Sequence, residues 1–255
     1  MSYNILMGGN RSSGDRTDLL LSVMKDLAPD IVGLCECAGF TEDDNRRLRL
    51  FADTLGMIGI INEASSENHV AMLYKESLNA SETYTKSVGL YNGMARVVVP
   101  TAVGDMAVVM THLHPFSSTF RLGEAEVVSV RAAFAPNSII MGDLNSLSRA
   151  ALPDDLSGLS RTFQIRALNS VGEIDTAPID LLLSRGWVDL AGENVHPTYP
   201  TILKGSQEES DRSARLDYMF ATPDLAERCQ SFTVVASEQA HRASDHLPLV
   251  ADFEI

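Results

Sequence analysis

Short apolar runs and amphipathic segments alternate along the chain. Apolar runs bounded by Gly, Asn, Asp or Ser predict strands, and apolar residues spaced three and four apart predict helices with one buried face. The predicted strands are 2–7, 31–35, 70–74, 83–88, 95–99, 106–111, 138–141, 215–221, 232–236 and 249–253. The predicted helices are 15–28, 42–56 and 119–135. Strands with interspersed helices in both halves favour an α/β (α+β) fold in which two sheets pack face to face with helices outside.

The composition gives no reason to divide the chain. A length of 255 residues suits one large α/β domain, so we expect a single domain over residues 1–255. Hydrophobic residues at 45% and charged residues at 21% are typical of a globular protein with a sizeable core. The region from 146 to about 212 is polar, and its segment 204–213 predicts a mobile loop.

The charge bears on the partners to be expected. The formal net charge of −14 repels polyanions on average and disfavours extended nucleic acid as a substrate. It does not exclude nucleic acid, because an acidic metal site contributes several carboxylates and a local basic groove can exist on an acidic molecule. The chain starts with a strand-like run and has no apolar run of 18 residues, so we expect a cytoplasmic, monomeric protein without membrane contact.

Polar side chains recur where the predicted strands end. Amides, carboxylates and imidazoles repeated at strand ends are what a site assembled on a rigid sheet scaffold requires. The set comprises Asn4, Glu36, His112, His114, Asp143, Asn145, Asp217, Asp245 and His246.

Each of these residues also has a purely structural interpretation. Glu36 is equally explained as an ion-pair partner and His112 as a satisfied core histidine. The Asp143-Leu144-Asn145 stretch after a glycine is typical of an Asx-type turn. Asp217 has Arg215 and Arg212 as candidate ion-pair partners, and Asp245 is a candidate loop cap for His246. No single residue therefore establishes a site.

Taken together, six segments resemble the ordered motifs of the endonuclease/exonuclease/phosphatase superfamily. Gly142-Asp143-Leu144-Asn145 and Ser244-Asp245-His246-Leu247-Pro248-Leu249 are short and weak alone, but the six segments occur in the family order and span nearly the whole chain. The segments are 2–5, 30–36, 111–115, 142–146, 215–220 and 244–249.

The resemblance implies a fold and a set of roles. The implied fold is a four-layer α/β/β/α sandwich of two packed mixed sheets with two internally related halves. Glu36 matches the family's principal metal ligand, with Asn4 and Asp245 as further metal-side residues. The implied catalytic residues are His112 on the phosphate side, Asp143 and Asn145 at the attacking water and phosphate oxygens, and the pair of Asp217 and His246.

The cysteines mark the one departure from the family pattern. Cys35 stands where the family most often has Gln before the metal-binding Glu, so a changed environment of Glu36 is expected to shift metal affinity. Cys35, Cys37 and Cys229 form neither a disulfide framework nor a zinc signature. We expect Cys35 and Cys37 to be buried thiols that point away from Glu36 to the opposite face of an extended strand.

These residue types suit in-line hydrolysis of a phosphate ester by an activated water. Charge accumulates on the phosphate oxygens and the leaving oxygen, and Mg²⁺ held by one or two carboxylates compensates it. We expect Mg²⁺, with Mn²⁺ as a substitute. Asp143 is expected to orient or deprotonate the water, Asn145 to hold a phosphate oxygen, and His246 to act as base or phosphate stabiliser.

The expected substrate is a small phosphate ester or a diphosphate. Aromatic residues make up only 6% of the chain, with the single Trp187, whereas holding duplex DNA calls for a basic face and apolar wedges. Two alternatives stay open: a metal-dependent DNA endonuclease or exonuclease of the same superfamily, and a catalytically silent binding protein on the same scaffold. The candidate substrate-binding residues are His69, Arg96, Arg121 and Asn145, and Arg11, Arg16 and Arg149 also lie in or beside the expected specificity loops.

Overall fold

Twelve strands and seven helices make up the described part of the protein. The structure is a computed structural model, which describes residues 1–153, 156–193, 195–204 and 213–255. The strands are β1 Ser2–Asn4, β2 Ile31–Cys35, β3 Ile58–Asn62, β4 Val70–Tyr74, β5 Glu82–Lys86, β6 Met94–Val99, β7 Met106–His112, β8 Asn137–Asp143, β9 Val188–Asp189, β10 Asp217–Ala221, β11 Cys229–Val234 and β12 Leu249–Phe253. The helices are α1 Thr17–Leu27, α2 Glu42–Leu55, α3 Ser118–Ala132, α4 Arg161–Arg166, α5 Ala177–Ser184, α6 Pro223–Ala226 and α7 Glu238–Ala243.

The strands form two mixed six-stranded sheets. The first sheet has the order β11-β12-β1-β2-β4-β3, and the second has the order β5-β6-β7-β8-β10-β9. In each sheet one parallel pair, β1/β2 or β7/β8, is followed by two antiparallel neighbours in the same spatial sequence. The four strands β1, β2, β4 and β3 therefore correspond to β7, β8, β10 and β9, which is the internal relation that the resemblance implies.

Three apolar layers separate four layers of structure, as the resemblance implies. Side chains of α1, α2 and α7 pack on the outer face of the first sheet, and those of α3 and α5 pack on the outer face of the second. A third apolar cluster, with Met72, Val97, Met110 and Met141, fills the space between the sheets. Burial of these alternating faces is the main stabilising term of such a sandwich.

The two sheets approach closely at Gly33 in the middle of β2. A Cβ atom there would lie 2.4 Å from Met110 Sδ and 2.7 Å from Met141 Cε of the second sheet. Glycine therefore lets the parallel pair of one sheet lie against the parallel pair of the other. This contact aligns the carboxyl ends of β1, β2, β7 and β8 at one edge of the sandwich.

The long periodic elements agree with the sequence prediction, and the irregular ones do not. The predicted helices 15–28, 42–56 and 119–135 are found as α1, α2 and α3 with shifts of a few residues. The predicted first strand 2–7 is shorter, because the chain leaves β1 after Asn4 and turns into a 3₁₀ segment at Met7–Gly9. The prediction missed β3, β9 and the four short helices α4 to α7. The predicted mobile loop lies mostly outside the described residues.

Among the helices of the described ranges, none combines the length and the apolar character needed to cross a bilayer.

Candidate active site

The topology brings the candidate catalytic residues to one edge of the paired sheets. Asn4 ends β1, Glu36 follows β2, His112 ends β7 and Asp143 ends β8. Because each parallel pair places its carboxyl ends side by side, these four positions share that edge. His112 is the register partner of Asp143, and so is Asp217, which begins the antiparallel strand β10.

Asp245 and His246 reach the same edge from the last segment of the chain. They precede β12, which runs antiparallel to β1 and pairs Leu249 with Ser2. The Ser244 hydroxyl donates to the Asn4 carbonyl at 2.6 Å, so this segment lies directly beside the end of β1.

Asn4 joins the two sheets through its amide group. Its Nδ2 donates to Glu36 Oε1 and to Asp143 Oδ2, both at 3.1 Å, while its Oδ1 accepts from the Leu6 amide at 3.1 Å. In this orientation Asn4 is a donor between two carboxylates. Ligation of a metal through its oxygen would require the bond to Leu6 to be replaced.

Glu36 emerges from the end of β2 in a conformation that is rare for a residue with a side chain. Its φ is +56°, and the left-handed region is costly for non-glycine residues. Its Oε2 accepts from the Met7 amide at 3.1 Å, so the carboxylate is fixed by groups on both sides. Such strain is maintained where the surroundings hold a functional group in place.

Asp143 uses its two oxygens for different purposes. Oδ1 accepts from the Asn145 amide at 2.9 Å, so the Asx-type turn considered from the sequence is present. Oδ2 faces the edge of the sheets, with His112 Nε2 at 3.5 Å and His246 Nε2 at 3.8 Å. The turn therefore orients the second oxygen toward two imidazoles and the Asn4 amide.

His112 is buried beside Asp143 and keeps polar capacity. Its Nδ1 has no hydrogen-bond partner among the described residues. Its carbonyl accepts from Asn92 Nδ2 at 3.1 Å, which fixes the main chain at the end of β7. A buried ring nitrogen without a partner is costly unless a ligand or water meets it.

Asp217 and His246 form a buried pair that also links the two sheets. Asp217 Oδ2 lies 2.7 Å from His246 Nδ1, which leaves Nε2 facing Asp143. Burial alone would lower the pKa of His246, but the charges of Asp217, Asp143 and Asp245 and the hydrogen bond to Asp217 outweigh it and raise that pKa to about 10. The neighbouring carboxylates therefore favour the protonated imidazole.

The donor set fits a divalent cation with oxygen ligands. Four carboxylates, those of Glu36, Asp143, Asp217 and Asp245, gather at this edge, and the last three are almost fully buried. The accompanying cations are His246 and Arg16, and the guanidinium of Arg16 donates to the carbonyls of Ser12, Ile5, Leu6 and Ala243. Negative charge thus exceeds positive charge in a buried place, which a divalent cation would compensate.

Two of these carboxylates lie on the Arg16 side of the cluster. Burial lowers the pKa of the Arg16 guanidinium, and the charges of Asp245 and Glu36 act against that shift. Both carboxylates are therefore within electrostatic reach of the same cation.

Within the described ranges, one group has metal-ligand spacing. Asp143, Asp217 and His246 each offer one ligand atom within 4.8 Å of the others. Two of the three, Asp217 and His246, are already joined by a hydrogen bond of 2.7 Å. Mg²⁺ also prefers oxygen ligands over imidazole. The assignment of the metal to Glu36 and Asp245 stays a prediction from the resemblance.

Thr198 and Tyr199 support the Asp217–His246 pair, although neither lies in the six segments that carry the resemblance. Thr198 Oγ1 accepts from the amides of Leu216 and Asp217 at 3.1 and 3.2 Å. The Tyr199 ring lies 4.9 Å from the His246 ring. No periodic signal in the sequence marks either residue.

Three of the candidate substrate-binding residues have partners within the protein. His69 accepts from the Ala64 amide at 3.0 Å through Nδ1, and its Nε2 lies 3.1 Å from Thr41 Oγ1. Arg96 lies on the outer face of the second sheet and pairs with Glu82. Arg121 is fully buried and pairs with Asp175 at 2.7 Å. We therefore leave Arg96 and Arg121 out of the proposed site. We interpret His69 as a residue whose hydrogen bonds fix the loop next to Glu36.

Asn145 differs from these three, because it lies at the edge itself. Its φ is +48°, which Asn tolerates better than most residues, and its Nδ2 donates to the Leu113 carbonyl at 3.0 Å. Arg11 and Arg149 form exposed ion pairs with Glu42 and Asp180.

Cys35 and Cys37 are buried, as predicted, but they do not share a face. Cys35 packs between the sheets and donates to the Thr111 carbonyl at 3.4 Å, whereas Cys37 packs under the helices of the first sheet. The expected alternation fails because β2 ends at Cys35 and Glu36 turns the chain with its positive φ. Cys35 is thus a packing residue next to Glu36.

Comparison with known proteins gives a family and a fold. The sequence model of the Endonuclease/Exonuclease/phosphatase family matches residues 1–246. No curated protein matches the chain in sequence.

Similar solved structures share the architecture at low sequence identity. An AP endonuclease from Archaeoglobus fulgidus is 21% identical with a TM-score of 0.72, and the match covers 100% of this chain and 98% of that one. The 3′ phosphatase NExo from Neisseria, bound to a product DNA hairpin, is 16% identical with a TM-score of 0.74, covering 100% and 98%. A humanized D. rerio TDP2 is 16% identical with a TM-score of 0.68, covering 100% and 97%.

Proposed function

Because the family match spans nearly its whole length, this chain belongs to the Endonuclease/Exonuclease/phosphatase family of metal-dependent hydrolases, and we propose that it is a Mg²⁺-dependent phosphoesterase acting on a small phosphate ester or diphosphate. The observation that supports this most is the position of Asp143 Oδ2. It lies 3.1 Å from Asn4 Nδ2, 3.5 Å from His112 Nε2 and 3.8 Å from His246 Nε2.

In the proposed reaction a water attacks phosphorus in line with the ester bond that breaks. Asp143 accepts the proton of that water through Oδ2, which Asn4 and the Asx-type turn hold in place. The new bond forms between the water oxygen and phosphorus, and the leaving oxygen departs on the opposite side and takes a proton from solvent water.

The remaining residues bind and orient the phosphate. His246, held by Asp217, stabilises the charge on a phosphate oxygen from Nε2. His112 donates to the phosphate or to the leaving oxygen, and Asn145 uses its second amide hydrogen for another phosphate oxygen. Each positioned acid or base contributes on the order of 10² to 10⁴ in rate.

Glu36 and Asp245 would hold the cation, with Asn4 as the residue that orients Glu36. One or two carboxylates with several waters and a substrate oxygen are a typical Mg²⁺ shell, and Mn²⁺ is an alternative. When bound, the cation neutralises charge that develops on the phosphate oxygens.

A nuclease is the second candidate, and the similar structures are what favour it. One of them is named an AP endonuclease, and the 3′ phosphatase NExo is bound to a product DNA hairpin. The small-molecule proposal is supported by the net charge of −14, which repels a polyanion.

An activity panel with metal removal tests the proposal. The substrates are sugar and inositol phosphates, phospholipid head-group esters, prenyl diphosphates, supercoiled plasmid and an abasic oligonucleotide. We expect phosphate release from a small ester in Mg²⁺, no release in EDTA, and little nicking of plasmid at the same enzyme concentration. Efficient nicking at low enzyme concentration would transfer the function to the nuclease candidate.

Substitutions of the residues at this edge of the sheets test their proposed roles against a control variant. Asp143→Ala and His246→Ala should each lower turnover by at least about 10², and Glu36→Gln should raise the Mg²⁺ concentration required. Glu227→Gln is the control, because Glu227 is exposed and lies beyond the opposite end of β10. Rates near wild type for Asp143→Ala in a folded protein would contradict the assignment.

A further inference from the structure

Four aromatic rings meet on the surface next to the candidate active site, and we call them the aromatic platform. The platform consists of Tyr91, His114, Phe116 and Phe120. The His114 ring stands at its centre, with centroid distances of 4.4 Å to Tyr91, 6.1 Å to Phe116 and 5.4 Å to Phe120. Its plane is within 21° of the Phe120 ring and nearly perpendicular to the Phe116 ring.

The platform leaves large apolar faces in contact with water. Phe116 is 65% exposed and Phe120 is 66% exposed, and Val88 on the adjoining turn is 79% exposed. Contiguous exposed apolar side chains mark binding surfaces, whereas isolated ones are common on any protein. A shallow groove of about 500 Å³ runs along the platform between Tyr91, His114, Phe120 and Gly89.

Buried polar groups hold the platform rigid. Glu124 on α3 accepts from the Tyr91 amide and the His114 amide at 2.5 and 2.6 Å, so one carboxylate joins both loops. The His114 ring accepts from the Phe116 and Ser117 amides at 3.1 Å through Nδ1. The Arg121 guanidinium donates to the His114 carbonyl at 3.1 Å. Because these bonds fix the main chain of the platform and its central ring, less conformational entropy is lost when a ligand stacks on it.

The platform adjoins the edge of the paired sheets where His112 and Asp143 lie, which we call the catalytic edge. His114 follows His112 by two residues, which along an extended chain is about 7 Å. Between them the Leu113 amide donates to the Asp143 carbonyl at 3.0 Å, and Asn92, next to Tyr91, donates to the His112 carbonyl at 3.1 Å. A phosphate held between His112 and Asp143 would therefore have the platform within the reach of one attached ring.

We propose that the aromatic platform binds a planar aromatic ring carried by the substrate, such as a nucleobase or an aryl group, next to the phosphate at the catalytic edge. This inference rests on the proposed phosphoesterase activity, and it narrows the substrate class to phosphate esters that carry an aromatic ring. Stacking needs no cation, which suits a strongly acidic protein and a ligand with few phosphates.

A binding measurement tests the platform without any turnover. Adenosine and 4-nitrophenol supply the two kinds of ring without a phosphate, and ribose is the sugar without a ring. Their binding to the whole protein is measured by ligand-detected NMR titration. We expect adenosine or 4-nitrophenol to bind, ribose to be inert, and Phe120→Ala to weaken ring binding by at least about fivefold.

Two variants separate stacking from a loss of structure. Phe120→Trp should retain or strengthen ring binding, because it keeps a planar face. Phe134→Ala should leave it unchanged, since Phe134 is an equally exposed phenylalanine at 66% that lies past the other end of α3. Equal effects of Phe120→Ala and Phe134→Ala would overturn the proposal, and so would binding of ribose as tight as that of adenosine.

Kinetics connect the platform to the reaction. With adenosine 5′-monophosphate and ribose 5-phosphate as a matched pair, Phe120→Ala should raise the ratio of the first KM to the second by at least about fivefold, and Phe134→Ala should leave that ratio unchanged. If neither ester is hydrolysed and the activity panel also shows no metal-dependent phosphate release, the proposed function fails while the binding result still decides the platform. If the platform instead pairs two copies of the chain, the protein would be a dimer that Phe120→Ala dissociates. If the platform binds a polymer, a single-stranded oligonucleotide would bind tightly while adenosine would not bind. Either result would overturn the proposal.

Discussion

Single side chains at the candidate site are held by partners from distant parts of the chain. Asn4 connects Glu36 with Asp143, and Asp217 connects with His246, so each functional group has a fixed orientation before a substrate arrives. Preorganised groups of this kind need no reorganisation during the reaction. His69 fixes the main chain next to Glu36 in a similar way, because its carbonyl accepts from the Cys37 amide at 2.9 Å.

The position of His69 predicts a pH dependence of stability. Burial lowers its pKa below the usual 6.5, and its Nδ1 accepts a hydrogen bond that only the neutral ring can accept. As pH falls below about 6.5 the unfolded chain takes up this proton before the folded one, so the free energy of unfolding decreases. Urea unfolding of wild type and His69→Asn between pH 7.5 and 4.5 measures this decrease in the free energy of unfolding.

The variant should lose this part of the pH dependence, because Asn has no group that titrates in that range. His196→Asn, at an exposed histidine, serves as the control and should follow wild type. Parallel pH curves for wild type and His69→Asn would show that His69 does not contribute.

At the residue scale the sequence predicted which residues meet, but not all of their contacts. The strand-end pattern and the family motifs named Asp143, Asp217 and His246, which lie together. Arg96 and Arg121 were named only because they lie near predicted loops. Sequence position did not reveal that Arg121 faces the buried Asp175 on a different segment, since such pairs depend on tertiary packing.

At the scale of elements, two glycines set how closely strands can approach. Gly142 lies in β8 with φ +142°, and a Cβ there would be 1.8 Å from the Thr111 carbonyl oxygen of β7. Gly33 faces the methionines of the other sheet, whose flexible side chains can move. The obstacle at Gly142 is main chain, which cannot move without breaking the sheet.

We therefore expect Gly142→Ala to destabilise the protein more than Gly33→Ala. A cost of about 1–3 kcal/mol is typical of overpacking among flexible side chains, and Gly142→Ala should exceed it. Chemical denaturation of the two variants gives both free energies. Gly56→Ala is a useful reference, since its Cβ would meet no neighbour and only its φ of +66° opposes the change. A smaller effect at Gly142 than at Gly33 would contradict this interpretation.

The elements that the sequence predicted are those whose apolar pattern is long enough to be periodic. Strands β2, β4 and β12 and helix α2 match their predicted bounds within a residue. Helices α4 and α5 were missed because each has fewer than nine residues within a polar region, where stability comes from capping and packing. The four-layer arrangement came from the family motifs, since periodicity alone predicts two packed sheets without their strand order.

At the scale of the whole molecule, acidic groups dominate both the surface and the catalytic edge. We expect Mg²⁺ to stabilise the fold, because the cation binds carboxylates that repel one another when buried. At a free Mg²⁺ concentration of about 100 times the dissociation constant, binding adds about 2.7 kcal/mol to the free energy of unfolding, which raises Tm by about 5 °C or more. Differential scanning calorimetry with Mg²⁺ and with EDTA measures the shift.

Asp245→Asn should reduce the Mg²⁺-dependent rise in Tm. Asp252→Asn should keep it, because Asp252 is an exposed carboxylate at the opposite end of β12. A rise that survives Asp245→Asn and Glu36→Gln together would place the cation elsewhere.

The net charge also predicts how salt acts on any nucleic-acid binding. A protein that neutralises many phosphates loses affinity steeply, with a log–log slope of about −0.9 per phosphate on duplex DNA. For a chain with a net charge of −14 we expect a slope near zero or positive. Fluorescence anisotropy with a labelled duplex at several NaCl concentrations measures the slope, and a steep negative one would reveal a basic groove and favour the nuclease candidate.

The hydrogen bonds of Asn4 with Asp143 and of Asp217 with His246 each span the gap between the two sheets. Neither sheet on its own carries the complete set of proposed catalytic groups. During refolding we therefore expect turnover to return only when the two sheets have docked. The recovery of turnover after dilution from denaturant should accordingly trail the recovery of secondary structure, and would time that final association.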